Sequence, residues 1–221
     1  MNLWLNLLVL LSKGDIMEPK FIPDIVVGRM PIYLRALQRM LGEGRRVTSS
    51  QELGERLGIS AAQIRKDLSQ FGEFGKQGTG YSIDYLSDEI CKILKIDRDW
   101  EVAVVGAGDI GSAVARYQGF SNRGFKVTMI FDNDPAKIGS QIGTFTIQDS
   151  KNLVDLIRQA GIEVAMVATP GPEAQAVTDQ LVSAGVKAIL NYAPINLAVP
   201  DGVYVQFIDP AIHLQRMTYY L

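Results

Sequence analysis

The sequence predicts an α/β chain, with a small helical domain placed ahead of a doubly wound parallel sheet. Three observations carry this. From about residue 101 onward, apolar strand-like runs alternate with helical patterns, the signature of strand–helix–strand units. The first run, Glu101-Val102-Ala103-Val104-Val105, enters a glycine turn that opens a helix. The residues before about 95 instead show helical spacing with capping and turn signals.

Composition bounds the possibilities. The chain has 221 residues, 22 Lys and Arg, 24 Asp and Glu, and a formal charge of −2. At roughly 100–200 residues per domain, this permits one large domain or two small ones. A hydrophobic fraction of 47% with 21% charged residues is that of a globular protein. The single Cys91 excludes an internal disulfide framework and a cysteine zinc site, and the single His213 excludes paired-histidine metal motifs. No metal ligands are therefore assigned. The near-neutral total hides an asymmetry. Residues 18–80 hold 10 basic and 7 acidic side chains, whereas residues 81–221 hold 11 and 16. A basic front joined to an acidic remainder points to two domains with different partners. The expected division is an extension at 1–16, a first domain at 17–95, a second at 96–208 and a terminal helix at 209–221.

The apolar stretch Leu3–Leu11 is too short for a membrane span of about 20 residues. It lacks the basic flank and cleavage site of a signal peptide. Back-translation of Ser12-Lys13-Gly14-Asp15 allows a ribosome-binding-like string just before the Met17 codon. Residues 1–16 are accordingly read as a non-native extension, with a hydrophobic arm as the alternative. No membrane association is expected.

Met30-Pro31 opens a helix on which Ile32, Leu34, Leu37, Met40 and Leu41 recur, and Gly42 and Gly44 close it. Ser49, Ser50 and Glu52 form a capping-box pattern for a second helix that ends at Gly58. Ser60 caps a third helix expected over 61–71, with Ile64, Leu68 and Phe71 on its buried face. Gln63, Arg65, Lys66 and Ser69 are expected to face outward. Helix, tight turn and polar basic helix make a helix-turn-helix, whose Gln and Arg side chains suit base edges and whose Lys suits phosphate. The glycine-rich stretch 71–83, with Lys76, Gln77 and Tyr81, reads as a hairpin wing. Ser49 and Ser50, at a helix N-terminus, are candidate phosphate contacts. The first domain thus reads as a winged helix-turn-helix that binds double-stranded DNA.

In the second domain, Gly106-Ala107-Gly108-Asp109-Ile110-Gly111 has the strand-before, helix-after context of a dinucleotide fingerprint. The next strand ends in Asp132, 26 residues after Gly106, where an acid bonds ribose hydroxyls and repels a 2′-phosphate. NAD(H) is therefore expected as the cofactor. Asp134 is a weaker candidate with a capping role open to it at Pro135. Later units run Val164–Ala168, a helix to about Ala184, Ala188–Leu190 and Val203–Phe207. Ligands lie at the carboxyl ends of such strands, which nominates Thr169 and Pro170. The pattern is that of a Rossmann-type sheet. The closing helix, with Ile212, Met217, Tyr219, Tyr220 and Leu221, is unusually apolar. Packing on another subunit or under the first domain both suit it. No acid–base set for hydride chemistry follows the sheet, and no substrate domain remains, so an enzyme is not expected and no catalytic residue is assigned.

The chain resembles the redox-sensing transcriptional repressor Rex family over about residues 20–221. The resemblance rests on Pro31-Ile32-Tyr33-Leu34-Arg35, Ser60 through Leu68, Phe71-Gly72-Glu73-Phe74-Gly75 and Gly78 through Tyr81. It continues through Val105–Gly108, Phe131-Asp132, Leu190-Asn191-Tyr192-Ala193-Pro194 and the terminal helix. It implies a cytoplasmic homodimer with swapped C-terminal helices that binds operator DNA and releases it when NADH displaces NAD⁺. It further implies an Arg35–Asp209 interdomain contact and Tyr117 near the nicotinamide. The turn Ala168-Thr169-Pro170-Gly171 departs from the family pattern, as does the extension before Met17. The alternatives are a regulator responding to CoA or another nucleotide, and a dehydrogenase with an accessory domain.

Overall fold

The computed structural model describes residues 22–75 and 80–221. The expectations for residues 1–16 and for Lys76 and Gln77 lie outside the described residues. The chain forms two compact units that divide between Leu94 and Lys95.

In the first unit, α1 (Asp24–Val27) leads into α2 (Met30–Gly42), with Pro31 in its first turn, where its missing N–H costs nothing. Helix α2 buries Met30, Tyr33, Leu34, Ala36, Leu37 and Met40. Ile32, expected on that face, is exposed instead, and Tyr33 takes the interior place. Strand β1 (Val47–Thr48) precedes α3 (Ser50–Leu57). The Ser49 hydroxyl accepts the Glu52 N–H at 3.1 Å, which caps α3. The Glu52 carboxylate is taken up by the Thr48 hydroxyl and Arg45 rather than returning to Ser49, so the capping box is half made. Gly54 lets the following turn close on α3, because a Cβ there would lie 2.4 Å from the Ile59 carbonyl oxygen.

Helix α4 spans Ala61–Leu68 and is capped by Ser60, which accepts the Gln63 N–H at 3.2 Å. It ends three residues earlier than the spacing predicts. The Ser69 hydroxyl bonds back to the Lys66 carbonyl, and Gln70 and Phe71 donate to the carbonyls three residues before them. Those contacts tighten the last turn and satisfy the terminal carbonyls. Strand β2 (Tyr81–Ser82) pairs antiparallel with β1, so the outgoing side of the expected wing is anchored on the strand before α3. Ser82 caps α5 (Ile83–Ile93), a helix the sequence reading does not identify. Its buried Ile83, Leu86 and Ile90 lie on the side packed against α2.

The second unit is a seven-stranded sheet. Its strands are β3 (Trp100–Val105), β4 (Phe125–Asp132), β5 (Gln141–Ile142), β6 (Phe145–Asp149), β7 (Val164–Val167), β8 (Ala188–Asn191) and β9 (Tyr204–Phe207). Their order is β5-β6-β4-β3-β7-β8-β9, parallel throughout except for the β5–β6 hairpin at one edge. Helices α6 (Asp109–Arg116), α7 (Leu153–Ala160) and α8 (Gly171–Ala184) cover it. The period-two geometry of β3 sends Val102 and Val104 into one core with Ile130 and Ile147. It sends Ala103 and Val105 into the other, with Leu153, Ile157 and Leu181. The chain runs outward from β3 through β4 to β6, then crosses back through α7 to β7 on the other side of β3, which makes the β3–β7 border the switch point of the sheet.

Backbone bonding continues beyond the strands. Gly106 N–H donates to Phe131 O, Ala168 to Val105, Tyr192 to Val167 and Ile208 to Asn191, each at 2.8 Å. Helix α9 (Pro210–Thr218) follows, capped by Asp209, whose carboxylate accepts the Ala211 N–H at 2.8 Å. Ile212, Leu214, Met217, Tyr219, Tyr220 and Leu221 are all exposed.

Candidate nucleotide and nucleic-acid sites

A cavity of about 830 Å³ opens at the carboxyl ends of β3, β4 and β7. Gly106, Gly108, Asp109, Ile110, Asp132, Asp134, Thr169 and Pro170 all line it. The three fingerprint glycines have different causes. At Gly106, φ is +99° and a Cβ would lie 2.5 Å from the Ala168 carbonyl oxygen. At Gly111, a Cβ would lie 1.7 Å from the Gly106 carbonyl oxygen. At Gly108 nothing stands within 4 Å, so the protein's own packing gives no reason for a glycine there. A surface that must admit a ligand backbone gives that reason. Gly108 also caps α6 without any side-chain hydrogen bond, which leaves the helix N-terminus for an anion.

Asp132 is buried at the end of β4. One carboxylate oxygen accepts the Ala107 N–H at 2.7 Å and the Lys137 ammonium at 3.2 Å. The other accepts the Asp134 N–H at 2.9 Å. Burial pushes this carboxyl up, but the two backbone N–H groups and Lys137 outweigh it and hold it below the usual carboxylate range. Asp132 is thus charged and fixed. Asp134 caps the next turn by accepting the Ala136 N–H at 2.9 Å. The Thr169 hydroxyl is buried with no partner among the described residues. An orphan hydroxyl, an open glycine and an ionised acid fit the residues to a dinucleotide's ribose and pyrophosphate. Asn191, also buried, uses its amide to bind Ala193 and Ile195 backbone, which shapes the Tyr192–Pro194 wall.

Tyr117 is not brought to this cavity. It lines a separate one of about 450 Å³ and stacks edge-on against Phe120. The lining residues that the sequence reading did not assign include Lys137, Glu173 and Tyr192.

In the first unit, Ser49, Ser50, Arg65, Ser69 and Tyr81 line one groove of about 800 Å³. The Arg65 guanidinium donates to the Ser50 hydroxyl at 2.9 Å. Burial pushes the Tyr81 hydroxyl up, with Arg65 opposing, so Tyr81 remains a neutral donor at pH 7. Lys66 is exposed. The groove also contains Glu73 and Phe74, which sequence reasoning left out. Gln63 is differently placed: its side-chain amide donates to Asp67 at 2.7 Å. Asp67 is fully buried, and Arg29 and Tyr33 also hold it, at 2.5 and 2.6 Å. Burial pushes Asp67 up, but Arg29, Tyr33 and Gln63 outweigh it and keep the carboxylate charged. Burial and the Asp67 contact push the Tyr33 hydroxyl well up. One signal was available: Asp67 lies on the same helical face as Ile64 and Leu68, and a carboxylate there needs a buried partner.

Among the described residues no helix is long and apolar enough to cross a membrane, and no cluster of three or more His, Cys, Asp or Glu is placed to hold a metal.

A helix-turn-helix unit joined to a dinucleotide-type sheet defines a nucleotide-responsive DNA-binding regulator. The family model "Putative DNA-binding protein N-terminus" matches residues 21–69, and "CoA binding domain" matches residues 97–195. The redox-sensing transcriptional repressor Rex of Roseiflexus sp. is 53% identical over 199 residues, 90% of each chain. That of Carboxydothermus hydrogenoformans is 40% identical over 90% of this chain and 95% of its own. The crystal structure of RSP with NAD⁺ and operator DNA superposes with a TM-score of 0.87 at 36% identity, covering 91% of this chain and 93% of that one. RSP with NADH gives 0.83 at 34% identity over 91% and 95%. This chain belongs to the Rex family of redox-sensing transcriptional repressors. Its relatives are named as repressors and not as enzymes.

Proposed function

We propose that this chain is a cytoplasmic, homodimeric repressor whose grip on palindromic operator DNA is set by the NADH/NAD⁺ ratio. The observation that carries this reading is the pairing, in one chain, of the Arg65–Ser50 groove with the Asp132 cavity. The same fold over 91% of the chain holds NAD⁺ and operator DNA together in RSP. In the DNA-holding state, two α4 helices sit one helical turn apart, about 34–36 Å, or a multiple of it. Arg65 and Lys66 contact the duplex, with Ser49, Ser50, Ser60, Ser69 and Tyr81 on the backbone. NADH favours a second arrangement that spoils this spacing.

The two redox forms differ by one positive charge on the nicotinamide. Only a difference in their affinity for the two protein states moves the equilibrium. A swing from 1:99 to 99:1 needs about 5.5 kcal/mol of differential binding. Tyr117 faces the nicotinamide in the dimer, and the exposed apolar side of α9 is covered by the second copy. Arg35, exposed on α2, and Asp209, the cap of α9, form the coupling pair. On this reading Arg35→Ala leaves NADH binding within about twofold but abolishes operator release by NADH; normal release by that variant refutes the coupling.

The match to a CoA-binding domain favours one second reading, a CoA-responsive regulator. Titrating NADH, NAD⁺ and CoA into an operator-binding assay separates the two. Release by NADH alone is expected, and release by CoA would replace the ligand assignment.

A further inference from the structure

The acid at the end of β4 is not the whole of the ribose corner. Lys137 stands beside it, its ammonium 3.2 Å from Asp132 and 4.0 Å from Asp134. Its side chain is 41% exposed and it lines the same cavity. Among the described residues lining that cavity it is the one cation, against Asp109, Asp132, Asp134 and Glu173. An isolated acid in that corner would bond the ribose hydroxyls and repel a 2′-phosphate. An acid paired to an adjacent ammonium instead holds that ammonium away from any phosphate. The two remaining contacts of Asp132 are backbone N–H groups, from Ala107 and Asp134. Its net charge is therefore balanced by a single side chain.

We propose that Lys137 is a latent 2′-phosphate receptor masked by Asp132, so that the preference for NADH over NADPH rests on this one ion pair. The inference rests on the dinucleotide reading of the cavity and adds a determinant to it. Neutralising Asp132 removes the repulsion and frees Lys137 in one step. The ammonium and an incoming phosphate are then opposite charges at the mouth of a partly enclosed site, where their attraction is worth more than in bulk water. Lys137 is half-exposed, and when it is replaced the buried Asp132 keeps its two backbone N–H bonds.

The test titrates NADH and NADPH into the full-length wild type and three variants, Asp132→Asn, Lys137→Met and the double variant, reading the fluorescence of the reduced nicotinamide. Asp132→Asn should raise NADPH affinity relative to NADH by at least tenfold, and the double variant should lose that gain. If the double variant keeps the gain, Lys137 is not the receptor and the proposal is overturned. It is also overturned if Asp132→Asn leaves the ratio unchanged while NADH still binds. Asp132 caps two backbone groups, so Asp132→Asn can fail to fold. The single Lys137→Met then decides: with the ammonium gone the Asp132 charge stands unbalanced against a 2′-phosphate, so NADPH affinity should fall severalfold while NADH affinity changes by less than threefold, and an unchanged ratio overturns the proposal. A wild type that binds no NADH would refute the dinucleotide reading itself, a result separate from all of these.

Discussion

The two units each bury a carboxylate that stays ionised, and they do so for opposite purposes. Asp67 is closed off by three side chains of its own unit, Arg29, Tyr33 and Gln63. Asp132 is held by two backbone N–H groups and a half-exposed lysine, on the wall of a cavity. The first fixes α4 to α2 and leaves its carboxylate nothing to offer a partner. The second has its orientation settled by the main chain, and the space beside it is open. A buried charge is thus structural when its partners are side chains from packed helices, and a recognition group when the backbone presents it to a void.

Removing Asp67 should have the largest effect. Asp67→Ala strands Arg29 and Tyr33 and should destabilise the first unit by about 3–5 kcal/mol in denaturant unfolding. A loss under about 1 kcal/mol would place the Asp67 network outside the stabilising core. The pH dependence has a definite sign. Both acids sit below their unfolded values, near 4 for aspartate, so their stabilisation is whole above that pH. It disappears as pH falls through the lower folded values. Acid titration of the wild type should therefore show stability falling below about pH 4, and Asp67→Asn should flatten that fall.

Smaller effects sharpen the contrast at the cavity. Gly111→Ala drives a methyl into the Gly106 carbonyl and should cost about 1–3 kcal/mol of stability in the second unit. Gly108→Ala meets no protein atom, so stability should stay within about 0.5 kcal/mol. Dinucleotide affinity should nonetheless fall about tenfold, or 1.4 kcal/mol, in a titration with NADH. Equal effects of the two alanines on stability would break the distinction between packing glycine and ligand glycine. Ser60→Ala, which removes only the cap of α4, should cost about 1 kcal/mol, read as a shift in melting temperature.

Much of this architecture is written locally. The strand into Gly106, the serine caps at 49 and 60 and the acid at 132 are all short-range patterns, and each occupies the place its pattern implies. Elements fixed by distant packing were not legible. Helix α5 follows a glycine-rich stretch and is held by α2, some 40 residues earlier in the chain. The β5–β6 edge is short, with Gly143 between the strands, and carries little periodicity of its own; α7 does carry a helical pattern, with Leu153 and Ile157 buried, that the sequence reading passes over. The same holds for side chains. Gln63 has the composition of a base reader, but its partner Asp67 is in turn held by residues 34 and 38 positions away. Lys137 went unassigned because its meaning comes from Asp132 beside it in space.

The hydrogen bonds that carry the sheet past Val105, Val167 and Asn191 have a consequence for timing. They tie the rim of the nucleotide cavity into the backbone ladder of the sheet. A rim already ordered asks no folding step of an arriving ligand and loses little entropy on binding. Occupancy can then follow the surrounding nucleotide pool as fast as molecules diffuse in and leave. Any delay in the response then arises downstream of binding, in the change of arrangement and the parting of protein from DNA.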